Sequence, residues 1–301
     1  MHVIVGAGPV GTAVARLLAG RGEPVRVVTR SGSGPELPEV ERVAGDAADG
    51  EVLAQLTEGA TTLYCCAGPP YHRWASDWPP IGHALVRAAG TSGAVLATTG
   101  NLYGYGEVDG PITEDLPLRP NSVKGRVRAE VWSEALEAHE AGRIRTVEIR
   151  GSDYLGAGAV SPFSVMVLPK VLAGKRGSMP ADLDAPHSWT YVGDVARLLV
   201  TVAADESAWG RAWHVPTAPP VSVRDLAARA AVLAGAAPAK VAAMPGFVLR
   251  LAGAFNPTAR AMVEVQYQWQ RPFVVDSSAA IAAFGIEPTS TDQALRETVD
   301  G

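Results

Sequence analysis

The opening thirty residues constrain the fold more than any other stretch. His2 to Val5 is a short apolar run that leads directly into Gly6-Ala7-Gly8-Pro9-Val10-Gly11. Val10, Val14, Leu17 and Leu18 then recur at helical spacing, Gly20 and Gly22 close the segment, and a second apolar run follows from Val25 to Val28. Strand, glycine turn, helix, strand is the order in which a GxGxxG pattern has physical meaning. Gly6 permits a tight turn, Gly8 lets the backbone approach a pyrophosphate, and Gly11 lets the helix lie close to the sheet, with Pro9 and Val10 completing the turn. The helix N-terminus then offers free N–H groups and the positive end of its dipole to phosphates. A dinucleotide-binding unit is expected; the plainer alternative is a glycine turn that binds nothing.

The end of the second strand bears on which dinucleotide. Enzymes of NAD and flavins normally place a carboxylate there to accept hydrogen bonds from the adenosine ribose. Here the residues are Thr29-Arg30-Ser31, with no acid. A guanidinium suits a 2′-phosphate through paired charge-assisted bonds. Arg30 and Ser31 therefore point to NADP(H) over NAD(H) and FAD. A solvated loop charge is the alternative for Arg30.

Composition narrows the class. The chain has 301 residues, 47% hydrophobic and 19% charged, enough for one large domain or two modest ones. A net charge of −5 without any basic block argues against a nucleic-acid surface. Two adjacent cysteines, Cys65-Cys66, have no metal-ligand spacing and read as buried thiols of a reducing compartment. The chain enters its first strand at once, with no leader to remove, and no stretch has the apolar length of a membrane span. A cytoplasmic enzyme of a small molecule is expected, with no metal, membrane or nucleic-acid partner.

Along the chain, strands at Val40 to Val43, Thr61 to Cys66, Ala94 to Thr98 and Arg145 to Ile149 alternate with helices at Glu51 to Leu56, Ile81 to Ala89 and Asn121 to Ala141. Ala67-Gly68-Pro69-Pro70 forces a loop after the fourth strand, and Tyr71, His72, Arg73, Trp74 and Trp78 read as an aromatic cluster in that loop. This βα order predicts an α/β fold: a doubly wound parallel (Rossmann) sheet with ligands at the carboxyl ends of its strands. Residues 1–160 form that core, and 161–301 a smaller α/β substrate-binding part, interleaved with the core. In the latter, Asp194 is expected to cap a helix over Val195 to Ala204, and Ser222 another.

These residues together resemble the short-chain dehydrogenase/reductase superfamily, in its extended and atypical, epimerase/dehydratase-like branch. The resemblance rests on GAGPVG, Gly45-Asp46, Cys66-Ala67-Gly68, Thr98-Thr99-Gly100-Asn101-Leu102-Tyr103-Gly104-Tyr105-Gly106, KGRVRAE from Lys124, RGSDYLGAG from Arg150, WTYVGDVA from Trp189 and Val275 to Ser278. It implies that Asp46 lies by the adenine, that Cys66 to Gly68 lie beside the adenosine ribose and phosphates, and that Thr98 lines the cofactor. It also implies that the C-terminal part forms the substrate pocket, and that helices after the fourth and fifth strands can pair two copies into a homodimer.

The family's catalytic tyrosine and its lysine four residues on are missing as a pair. Thr99 matches the serine or threonine position, four residues before Tyr103. Aligning KGRVR with the family's YGxxK puts Lys124 in the tyrosine's place and Arg128 in the lysine's; the other register pairs Lys124 with Pro120. A lysine donates a proton when desolvated near another cation, and anchoring of substrate is its plainer role. Arg128 can hold a ribose or phosphate but donates no proton. Tyr103 is a candidate acid, with packing as the alternative. Tyr71 and Trp74 are candidates to stack on substrate, with packing the equal alternative; Tyr105 and His187 are candidates to touch it, though a loop histidine is more often structural.

Three functions fit. The first is an NADP(H)-dependent oxidoreductase or epimerase/dehydratase-like enzyme acting on a carbonyl or hydroxyl. The second is a non-redox cyclase, lyase or isomerase on the same fold, and the third a non-catalytic NADP(H) sensor.

Overall fold

The computed structural model describes residues 1–301. Its packing resolves two compact units, each discontinuous in sequence. The first comprises Met1–Gly104, Val123–Arg150 and Val195–Trp213, and the second Tyr105–Ser122, Gly151–Asp194 and His214–Gly301.

The first unit is built on strands β1 (His2–Val5), β2 (Val25–Thr29), β3 (Val40–Ala44), β4 (Thr62–Cys65), β5 (Val95–Asn101) and β6 (Arg145–Gly151). With the later strand Ala212–His214 they make a seven-stranded parallel sheet in which β1 stands between β4 and β2, flanked by β5 and β6 on one side and β3 on the other. The register pairs Val5 with both Val28 and Cys65, and Cys65 with Thr98. β1 and β4 therefore end at one level, and β5 runs three residues further, to Asn101. The strand order reverses beside β1, and such a reversal opens a crevice at the carboxyl ends of the strands.

Helices α1 (Pro9–Ala19), α2 (Gly50–Leu56), α3 (Trp74–Ser92) and α4 (Val123–Glu140) connect these strands. On α1 the buried residues Val10, Val14, Ala15 and Leu18 form one face, as their spacing requires. Asp49 caps α2 by accepting from the amides of Glu51 and Val52. Burial of Val3, Val5, Leu63, Leu85, Leu96 and their neighbours supplies the core of this unit. A Cβ on Gly82 of α3 would lie 3.2 Å from Val131 of α4, so the glycine permits their close approach.

Helix α3 begins at Trp74, seven residues before the start expected from sequence, and Tyr71–Arg73 forms a 3-10 turn leading into it. The aromatic run is thus not in a loop. Tyr71, Trp74 and Trp78 follow the spacing i, i+3, i+7, which is one helical face.

The second unit contains two small parallel pairs. One joins β7 (Asp153–Leu155) to β9 (Trp189–Tyr191), the other β8 (Arg176–Met179) to the strand Lys240–Ala243. The Ser222 hydroxyl caps the helix Val223–Leu233 by accepting from Asp225 N–H. Asp194 lies inside the first turn of the helix Val192–Ala204, not ahead of it, and its carboxylate accepts from both the amide and the hydroxyl of Thr289 at 2.7 Å. No helix is long and apolar enough to cross a membrane.

Candidate active site

The three glycines of the first turn do separate things. Gly6 has φ +98°, and a Cβ there would stand 2.8 Å from the Cys66 carbonyl oxygen. Only glycine suits both conditions. A Cβ on Gly11 would fall 2.0 Å from the Gly6 oxygen, so Gly11 permits the helix to dock. Around a Cβ on Gly8 there is nothing within 4 Å. Gly8 is exposed, N-caps α1 without a side-chain bond, and is followed by Pro9 and Val10. Gly68, on the neighbouring loop, also faces open space. Open backbone at an uncapped helix N-terminus fits a pyrophosphate, so the residues present fit a dinucleotide.

Around that turn, Cys66 and Ala67 are half-buried and Thr98 is buried within β5, level with the last residue of β4. Burial pushes the thiols of Cys65 and Cys66 above their ordinary range. Asp46 is exposed, and its carboxylate accepts from the Ala48 amide, which closes its own turn. Arg30 and Ser31 are exposed just past β2, and Ser31 donates to the Ser33 hydroxyl. The Ser76 hydroxyl, then Arg73, then Arg30 hold the Asp77 carboxyl below its usual range.

The acid/base candidates converge beside β4 and β5. The Thr99 hydroxyl donates to the Cys65 carbonyl at 2.9 Å, which ties β5 to the end of β4. Four residues on, half-buried Tyr103 accepts a 3.1 Å bond from the Tyr71 hydroxyl, and its ring stacks on Trp74 at 5.9 Å. Trp74 meets the Tyr71 ring edge-on at 5.0 Å. Lys124 of α4 is only 5% exposed, and its Nζ lies 4.5 Å from the centre of the Tyr71 ring. Cation and ring at that distance attract, the more so when desolvated.

Arg128, one turn further along α4, is held inside the unit. Its guanidinium donates to the Thr99 carbonyl at 2.8 Å, lies 3.9 Å over the Trp78 ring, and faces the Glu148 carboxylate at 3.6 Å. Arg150 donates to the same carboxylate at 2.8 Å. A Cβ at Gly100 would sit 2.6 Å from Glu148, so that glycine makes room for the buried acid. Thus Arg128 organises the site from behind.

Tyr105 and His187 lie in the second unit. Tyr105 is 2% exposed and hydrogen-bonded to His214 Nε2 at 2.9 Å. His187 is 3% exposed, faces Asp153 at 3.1 Å and the Gln268 carbonyl at 3.2 Å, and packs between the rings of Trp189 and Phe273. Both are interior groups of that unit. The pairing of Lys124 with Tyr71 and the acid Glu148 are features sequence reasoning missed. The i, i+3, i+7 spacing of Tyr71, Trp74 and Trp78 was the available signal for the first.

A glycine turn at the reversal point of a doubly wound parallel sheet defines an α/β fold of the Rossmann type. The chain belongs to the NAD dependent epimerase/dehydratase family, whose model matches residues 2–215. The fold is similar to that of a double mutant of the dTDP-glucose 4,6-dehydratase DesIV from Streptomyces venezuelae, solved with NAD, at 20% identity and TM-score 0.79, covering 100% of this chain and 96% of that one. It is similar also to UDP-glucose 4-epimerase from Thermus thermophilus in complex with NAD (20% identity, TM-score 0.77, 100% and 98% covered). A third similar structure is the Bordetella bronchiseptica enzyme WbmH with NAD+ (20% identity, TM-score 0.77, 99% and 97% covered). No curated protein sequence matches the chain.

Proposed function

We propose that the protein is an NADP(H)-dependent oxidoreductase or epimerase/dehydratase-like enzyme acting on the hydroxyl or carbonyl of a small molecule. The observation that carries this reading is the cluster of Thr99, Tyr103, Tyr71 and Lys124 in the same unit as the glycine turn. Family membership supports an enzyme with a nicotinamide cofactor, and the similar structures contain NAD. The preference for NADP(H) rests on this chain's own Arg30, exposed at the end of β2 where no carboxylate stands.

Gly6, Gly8, Pro9, Val10 and Gly11 would hold the pyrophosphate, and Arg30 with Ser31 the 2′-phosphate. When bound, the nicotinamide supplies or accepts hydride. The chain's part is the proton: a carbonyl oxygen being reduced must gain one, and a hydroxyl being oxidised must lose one. Tyr103 is the exchanging group, with Thr99 positioned to accept a hydrogen bond through its remaining lone pairs. Lys124 supplies positive charge next to the phenols.

The test is hydride exchange. The protein is offered NADPH with a panel of small aldehydes, ketones and keto-sugars, and NADP+ with the corresponding alcohols and sugars. Nicotinamide absorbance is followed, and products are checked for epimerised or dehydrated sugar, because those reactions return the hydride and leave the absorbance unchanged. Turnover with at least one class is expected. Tight cofactor binding with neither exchange nor an epimerised or dehydrated product from any panel member would instead favour a non-redox enzyme or sensor.

A further inference from the structure

The site has a proton donor but lacks the tyrosine–lysine pair on one helix that the resemblance leads one to expect. We propose that Tyr71, from the turn ahead of α3, is the relay residue that joins Lys124 to Tyr103, which together replace that pair. This rests on the functional reading above and deepens it.

The geometry is a chain of three groups from three elements. Lys124 Nζ of α4 lies 4.5 Å over the Tyr71 ring. Tyr71 donates its hydroxyl proton to the Tyr103 oxygen at 3.1 Å. Because Tyr103 accepts that bond, its own proton can be donated to a third group. When Tyr103 passes its proton to a substrate oxygen, its O–H bond breaks and a substrate O–H bond forms. The Tyr71 proton then moves to Tyr103, restoring that phenol. The negative charge ends on Tyr71, beside the buried ammonium of Lys124. Protonation runs one way and deprotonation the reverse, with one proton moved in each bond.

The surroundings favour that outcome. Lys124 is 5% exposed, so its attraction for a phenolate is weakly screened. Lys124 from α4 and Tyr103 after β5 both face Tyr71, and Trp74 adds a neutral ring. Its sequence neighbours His72 and Arg73 are exposed, and Arg73 pairs with Asp77. Trp74, edge-on to Tyr71 and stacked on Tyr103, fixes both rings.

The experiment is a phenolate titration of the whole protein by ultraviolet difference absorbance, without substrate. It compares wild type with Tyr71→Phe, Tyr103→Phe and Lys124→Met, each checked for an unchanged melting transition. Tyr64 and Tyr267 are buried and ionise far above the ordinary range, so they do not obscure an early wave. Wild type should show one phenol ionising below the ordinary value of about 10. That wave should vanish in Tyr71→Phe and move upward in Lys124→Met. A wave that survives Tyr71→Phe, ignores Lys124→Met, or is absent from wild type overturns the relay. Where the panel gives turnover, Tyr71→Phe should lower it about 10²-fold and shift its pH profile, with cofactor affinity unchanged. Turnover with an unchanged profile in that variant defeats the relay while leaving the function standing. A panel without turnover defeats the function, and the titration still decides the relay.

Discussion

The main-chain oxygen of Thr99 accepts a 2.8 Å hydrogen bond from the Arg128 guanidinium. This bond ties α4 to β5, and so holds Lys124, one turn earlier, in a fixed relation to that strand. Arg128 can occupy the interior because Glu148 balances it and Arg150. Removing the acid's charge leaves two cations, each about 5% exposed, without their anion. Glu148→Gln should therefore destabilise the protein by roughly 3–5 kcal/mol, the usual cost of breaking a buried pair. Denaturant unfolding measures it; a loss under about 1 kcal/mol, the worth of an exposed pair, would show the network to be solvated.

Gly8 and Gly11 should respond in opposite ways. A side chain on Gly8 enters open space, whereas one on Gly11 meets the Gly6 oxygen at 2.0 Å. Gly8→Val should keep the melting temperature and lose cofactor binding, since it fills the space a pyrophosphate needs. Gly11→Val should lose the fold itself. Fluorescence titration and thermal melting separate the two, and unchanged cofactor affinity in folded Gly8→Val would make the turn purely structural.

Arg30 decides the cofactor. Arg30→Asp should weaken NADP(H) by roughly 1.5–3 kcal/mol, the worth of hydrogen bonds to charged groups. It should leave NAD(H) little weakened. Equal or tighter binding of NAD(H) by the wild-type protein would remove the basis for the assignment.

Alkaline stability should fall early. Cys65 and Cys66 are held neutral by burial, so their thiols titrate above the unfolded value. Below about pH 8.5 both states keep these protons and the full stability is present. As pH rises further the unfolded chain releases protons that the folded chain retains, and stability is lost up to the raised folded values. Urea midpoints between about pH 7 and about pH 9.5 should drop in the wild type and drop less in Cys65→Ala. Equal slopes would show that the thiols are not the cause.

Much of the first unit was legible because its signals are local. The glycine turn, the short apolar strands and their alternation with helices depend on neighbours in sequence. The aromatic run from Tyr71 to Trp78 was not, because Pro69-Pro70 and Pro79-Pro80 flank it and prolines ordinarily end helices. In the structure Pro79 and Pro80 lie within α3, and the aromatic face survives. Glu148 was illegible for another reason: its partners are set by the register between β6 and α4, which no local pattern encodes. Tyr105 and His187 are likewise held by residues far along the chain, His214 and the Gln268 carbonyl.

The central claim is that the cluster around Lys124 moves a proton during hydride exchange, and Lys124→Met tests it most directly. The substitution keeps side-chain length and helix propensity while removing the charge over Tyr71. Turnover on whichever panel substrate the wild type uses should fall by about 10²–10⁴, with NADP(H) affinity nearly intact. Wild-type turnover in a folded Lys124→Met protein would contradict the account.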